Sequence, residues 1–190
     1  MMSALLLILL SAVLASHYAP ALLGTRLFEE TDEHSNSIGW ALASFILIAV
    51  IAPAGYLIEH ALLRPFDTAY LRTYVLVILV MILAPLLALL LPRLGPWTPV
   101  RPAFVLVAIG NPAVLATALM SADFADITTA LWSGVGIGTA FAVMLLAFTA
   151  LHARVTAARI PLAFRDTPIA LVTTGLMALA LMGLTGLIRD

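Results

Sequence analysis

Residues 102–121 read PAFVLVAIGNPAVLATALMS, a run that carries no charge. About 20 mostly apolar residues in helical form cross the hydrocarbon core of a bilayer, so the length fits one crossing. Yet Gly110-Asn111-Pro112 stands in the middle of the run. Gly110 tolerates backbone angles that other residues avoid. Pro112 lacks an N–H and pushes the residue before it out of the helical region. Broken backbone at membrane depth has to be satisfied by protein or line a cavity. The bland alternative is a proline kink in an ordinary span, of the kind Pro53 and Pro85 can make.

Working outward, five further stretches have spanning length: approximately 2–23, 38–58, 73–91, 129–150 and 168–188. With 102–121 they make six, joined by short polar or Pro-rich connectors such as FEETDEHSNS, EHALLRPFDTAYLR and HARVTAARIPLAFRDTP. The whole chain is 63% hydrophobic and 10% charged, with a mean hydropathy of +1.13. Soluble domains carry about 25% charged residues. The expected fold class is therefore an all-α integral membrane protein of six transmembrane helices. It forms a single membrane domain, residues 1–190, with halves 1–95 and 96–190.

Three spans per half start the second half on the opposite face from the first, which is the parity of an inverted 3+3 repeat. The first stretch carries its own interruption, Pro20 to Arg26, with Gly24 inside it. Matching breaks in the two halves of such a repeat, here in the first and fourth helices, point to a working site near the bilayer midplane. The N-terminal MMSALLLILLSAVLAS has the core of a signal peptide, but no basic residue precedes Arg26. It reads as a retained first span.

All nine basic residues are Arg. With the N-terminus outside, the inner loops hold Arg26, Arg93, Arg101, Arg154, Arg159 and Arg165, against Arg64, Arg72 and Arg189 outside. The positive-inside rule then places both termini outside. The net charge of −1 and the lack of a basic tract give no sign of a nucleic-acid partner. The chain has no cysteine, which excludes disulfides and any thiolate-held metal or iron–sulfur centre built from this chain alone.

Few side chains offer chemistry. His17, near Ser16 and Tyr18, is the polar oddity of the first span, a candidate relay or ligand, or else one interfacial hydrogen bond. Glu59 with His60 stands at a span end and His152 in a basic loop, both read as solvated. Arg26 is either interfacial or a buried charge that needs Glu29 or Glu30. In Ser133-Gly134-Val135-Gly136-Ile137-Gly138, glycines 134 and 138 read as a close-packing face rather than a nucleotide loop, and Gly175, Gly183 and Gly186 read similarly in the last span. Nothing resembles a hydrolase triad or a phosphate loop, so autonomous catalysis is not expected.

The run Arg159-Ile-Pro-Leu-Ala-Phe-Arg165, followed by Pro168-Ile-Ala-Leu-Val-Thr-Thr-Gly175 and on to Leu187, resembles the RnfA/RsxA subunits of Rnf electron-transport complexes. The related NqrE subunits of sodium-pumping NADH:quinone oxidoreductases share it more loosely. Arg64-Pro65 and Tyr70-Leu71-Arg72-Thr73 add to the resemblance. It implies a six-span subunit of inverted 3+3 topology, paired with a homologous RnfE/NqrD-like subunit; in the bacterial inner membrane, the outside termini read from the Arg count are periplasmic. In such a pair, cysteines on the broken helices bind one [2Fe–2S] cluster. That cluster relays electrons between flavin and iron–sulfur subunits, coupled to Na⁺ or H⁺ movement.

Relatives read Gly-Leu-Cys-Pro at the first break and Asn-Cys-Ala-Val at the second. Here the corresponding residues are Gly24-Thr25-Arg26-Leu27 and Asn111-Pro112-Ala113-Val114. Gly24, Arg26, Asn111 and Pro112 therefore mark the family's cluster position without its ligands, and no cofactor is expected on this chain alone. Besides an Rnf-type subunit, the sequence admits a cofactor-free paralogue, either a transporter or channel-like protein or a structural assembly subunit.

Overall fold

A computed structural model describes residues 33–90, 102–158, 161 and 167–187. The first span, with its break at Gly24 and Arg26 and with His17, lies outside the described residues. All regular structure among the described residues is helical. It comprises α1 (Glu33–Ile58), a π-helical turn (Glu59–Leu63), a 3-10 turn (Ala69–Leu71), α2 (Arg72–Leu90), α3 (Pro102–Ile109), α4 (Pro112–Ser121), α5 (Ile127–Thr156) and α6 (Thr167–Leu187).

Among the described residues, three helical stretches are long and apolar enough to cross a membrane, Ile38–Leu63, Ala69–Leu90 and Ile127–Thr156. α6 and the two short helices α3 and α4 are apolar as well. Outward faces carry Leu89, Trp132, Val143 and Leu179, large exposed side chains that suit a lipid or partner-protein surround.

α1 is the central helix. It runs antiparallel along α5 and also packs on α4, while α2 contacts α1, α3 and α4 and α6 rests on α5. The antiparallel pairing is visible in the glycines. A Cβ on Gly134 would stand 2.7 Å from the Ala52 Cβ, whereas one on Gly138 would stand 3.0 Å from the Phe45 carbonyl. The small-residue face expected at Gly134 and Gly138 therefore brings two backbones together. Phe141 and Phe148 continue the same helix into the core beside Leu47, Ile48 and Ile51.

Several expectations need correction. Gly175 and Gly183 meet nothing described within 4 Å of where a Cβ would stand, so among the described residues they form no contact like that at Gly134. α5 does not end near residue 150 but continues through Thr156. The sequence His152-Ala-Arg-Val-Thr-Ala contains no Gly or Pro to stop it. His152 is thus on a helix with its ring stacked on Phe148, centroids 5.7 Å apart, and not in a solvated loop. α1 likewise begins at Glu33, inside the stretch read as a polar connector.

Candidate functional site

Pro53 and Pro85 lie inside continuous helices, whereas Pro112 begins a new one. The difference lies in the residues before it. Gly110 forms a turn, and Asn111 adopts extended angles (φ −78°, ψ 111°), where the ring of Pro112 places it. Asn111 is then a ready N-cap. Its Oδ1 accepts the Ala113 N–H at 3.0 Å, and its carbonyl accepts from Val114 at 3.1 Å. Pro112 occupies the first helical position, where a missing N–H costs nothing. The Asn111 N–H in turn donates to the Ala108 carbonyl at 3.3 Å.

The break is therefore a capped junction between two half-helices, and at 3% exposure Asn111 is buried. Asn111→Ala should lose the cap and leave the Ala113 N–H unpaired, costing about 1 kcal/mol, while Asn111→Ser, an uncharged N-cap, should keep most of it. Unfolding of the detergent-solubilised chain measures this; equal stability of the Ala variant and the parent would refute the capping role.

α4 is placed from its other end. A Cβ on Gly55 would stand 2.5 Å from Ser121 Oγ and 3.1 Å from the Ala118 carbonyl, so α1 and α4 touch through backbone. Beyond them lies a charged group that the sequence reading missed. Arg72 reaches Glu59 with a two-pronged contact, Nη2 to Oε1 at 2.8 Å and Nε to Oε2 at 3.1 Å. Its Nη1 reaches Asp123 Oδ1 at 3.0 Å.

Glu59 is 2% exposed and is not the solvated span-end residue expected above. The helical stretch runs on to Leu63 through the π turn, and this carries Glu59 inside the packed bundle. His60 is half-buried too. Its ring stacks on Tyr56 at 4.0 Å, and its Nδ1–H donates to the Tyr56 carbonyl at 3.0 Å. The available signal was an acid at the end of an apolar run with two Arg close behind, since an ionisable residue at such depth needs a partner.

The structure thus places Asn111, buried, and Pro112, half-buried, at one helix junction, while Gly24 and Arg26 lie outside the described residues. The described residues contain no cluster of three or more His, Cys, Asp or Glu able to hold a metal.

The sequence matches the family described as Rnf-Nqr subunit, membrane protein, over residues 8–188. The A-type subunit of the ion-translocating oxidoreductase complex from Histophilus somni strain 129Pt is 35% identical over 155 residues, 80% of each chain. Its namesake from Aeromonas hydrophila is 33% identical over 155 residues, also 80% of each chain. That from Pseudomonas paraeruginosa is 32% identical, covering 99% of this chain and 100% of its own length. A match of this extent settles the kinship: the chain belongs to the Rnf-Nqr family of membrane-protein subunits.

Proposed function

We propose that the chain is the A-type membrane subunit of an Rnf-type ion-translocating oxidoreductase complex, serving transmembrane electron transport coupled to Na⁺ or H⁺ movement. The observation that carries this reading is similarity along essentially the full length to relatives bearing that name. In this reading the fold is one domain of six spans in an inverted repeat, 1–95 against 96–190, lying in the bacterial inner membrane with periplasmic termini.

Support for alternating crossings comes from one end of the bundle. There the end of α1, the start of α2 and the turn between α4 and α5 meet through Glu59, Arg72 and Asp123. α4 thus ends at the same end of the bundle as α1, as two even-numbered spans of a chain that crosses back and forth would. The partners are an RnfE/NqrD-like membrane subunit and the flavin and iron–sulfur proteins of the complex.

The residues present do not fit a [2Fe–2S] cluster held by this chain. Such a cluster takes thiolates, and the chain has no cysteine. At the junction, Pro112 has no ligating atom and the Asn111 side-chain oxygen is engaged by Ala113. Any cluster at this position would take its ligands from the partner subunit. A second reading, a subunit retained for assembly, is favoured by the same engaged Asn111.

The deciding experiment is iron and acid-labile sulfide content with low-temperature EPR on the copurified complex, with and without this subunit. Loss of a two-iron signal together with electron transport on removal is the result expected of a redox role. An unchanged signal and unchanged turnover per remaining complex would overturn it.

A further inference from the structure

Three side chains of the first half close on the turn that follows α4. Tyr56 donates its hydroxyl to the Ala125 carbonyl at 3.3 Å, Arg64 Nη2 reaches the Ala122 carbonyl at 3.4 Å, and Arg72 binds Asp123. Arg72 is held firmly by the buried Glu59 through its two-pronged contact, whereas Arg64 reaches the same carboxylate only at 3.9 Å. We propose that Arg72, anchored on Glu59, is a positioning residue that latches the α4–α5 turn and thereby sets where α4 and the junction at Asn111 stand.

The lever is short and stiff. Ten residues of helix span roughly 15 Å, and α4 is capped at Asn111 and hydrogen-bonded internally through Thr117 and Ser121. A shift at Asp123 therefore arrives at Asn111 with little loss.

The two arms of Arg72 differ in kind. Glu59 is 2% exposed and its arm is shielded from solvent, whereas the Asp123 side chain is 72% exposed. Salt screens exposed charges far more than buried ones. The latch thus has a permanent arm and a releasable one: Arg72 stays on Glu59 while Asp123 comes and goes. Release would loosen the α4–α5 turn, still held by Tyr56 and Arg64, without unpairing the buried carboxylate. The consequence for transport rests on the junction being the working site; the latch itself rests only on the contacts.

The absence of cysteine makes the test clean. Spin labels at Ala116→Cys on α4 and Ile82→Cys on α2, in the full chain in lipid nanodiscs, report the distance between the helices by pulsed EPR. Asp123→Asn should broaden or shift that distance, the latched population falling roughly two- to fivefold, as expected for a solvent-exposed ion pair. High salt should have the same effect on the parent and no further effect on the variant, and Asp123→Glu should restore the parental distribution. Arg72→Lys, which keeps the charge but loses the fork, should also shift it.

Distributions that are identical in the parent, Asp123→Asn and Arg72→Lys, at low and high salt alike, would overturn the latch. If they shift while electron transport per assembled complex in Asp123→Asn membranes stays parental, the latch stands and the junction is not the working site.

Discussion

Arg72→Gln is expected to be the most damaging single substitution of a polar residue in the described part of the chain. Removing Arg72 leaves Glu59 in the bundle with its nearest cation, Arg64 Nε, 3.9 Å away. Breaking a buried pair on one side costs about 3–5 kcal/mol, because the remaining charge has lost both water and partner. Arg72 is itself 29% exposed, so water can partly replace it and the low end applies, about 3 kcal/mol.

The mechanism makes a sharper statement than the magnitude. If the damage comes from the stranded carboxylate, Glu59→Gln combined with Arg72→Gln should recover more than half of it, since neither residue is then charged. Asp123→Asn alone should cost no more than about 1 kcal/mol, in keeping with its exposure. SDS-induced unfolding in mixed micelles gives all three values and their coupling. An Arg72→Gln variant as stable as the parent, or a double variant worse than the single, would mean that the buried charge of Glu59 does not matter to the fold.

The same pair shows where sequence reading reaches and where it stops. Spanning stretches are written in local composition, and helices α2 and α6 begin and end within a residue or two of the apolar runs 73–91 and 168–188. The break in the fourth stretch is equally local. Gly110 takes the turn and Pro112 holds Asn111 in extended angles, all within three neighbouring residues that separate α3 from α4. What the triplet could not tell is that the Asn111 amide is committed to Ala113, because that depends on the cap geometry actually adopted.

Glu59 and Arg72 are 13 residues apart, and Arg72 and Asp123 are 51 apart. No periodicity links positions across a turn and two helices. The reading of Glu59 as solvated followed from ending its span at residue 58, and one π-helical turn was enough to reverse it. The glycines divide on the same ground. Gly134 and Gly175 are equally plausible packing residues in one dimension, and only the neighbouring helix tells them apart.

Gly134→Ala should destabilise the chain by about 1–3 kcal/mol, the range found when a methyl is forced into a filled contact. The added Cβ would stand 2.7 Å from the Ala52 Cβ and 3.2 Å from the Ala49 carbonyl, and neither neighbour is a flexible side chain that can turn away. α1 and α5 would have to part. In a bilayer their association rests on close contact rather than on expulsion of water, since lipid tails are as apolar as the side chains they replace. Each contact is worth little, but a separation of about half an ångström is felt by every pair along the interface.

The control lies in the same chain. Gly183→Ala on α6 meets nothing within 4 Å and adds a better helix former, so it should be neutral or stabilising by up to about 1 kcal/mol. Ala52→Gly, placed on the Gly134→Ala background, removes the nearest obstructing atom and should return part of the loss. Unfolding in mixed micelles compares the variants directly. If Gly134→Ala and Gly183→Ala are equally stable, the α1–α5 interface has slack that the 2.7 Å approach forbids, and the two helices are not packed backbone to backbone.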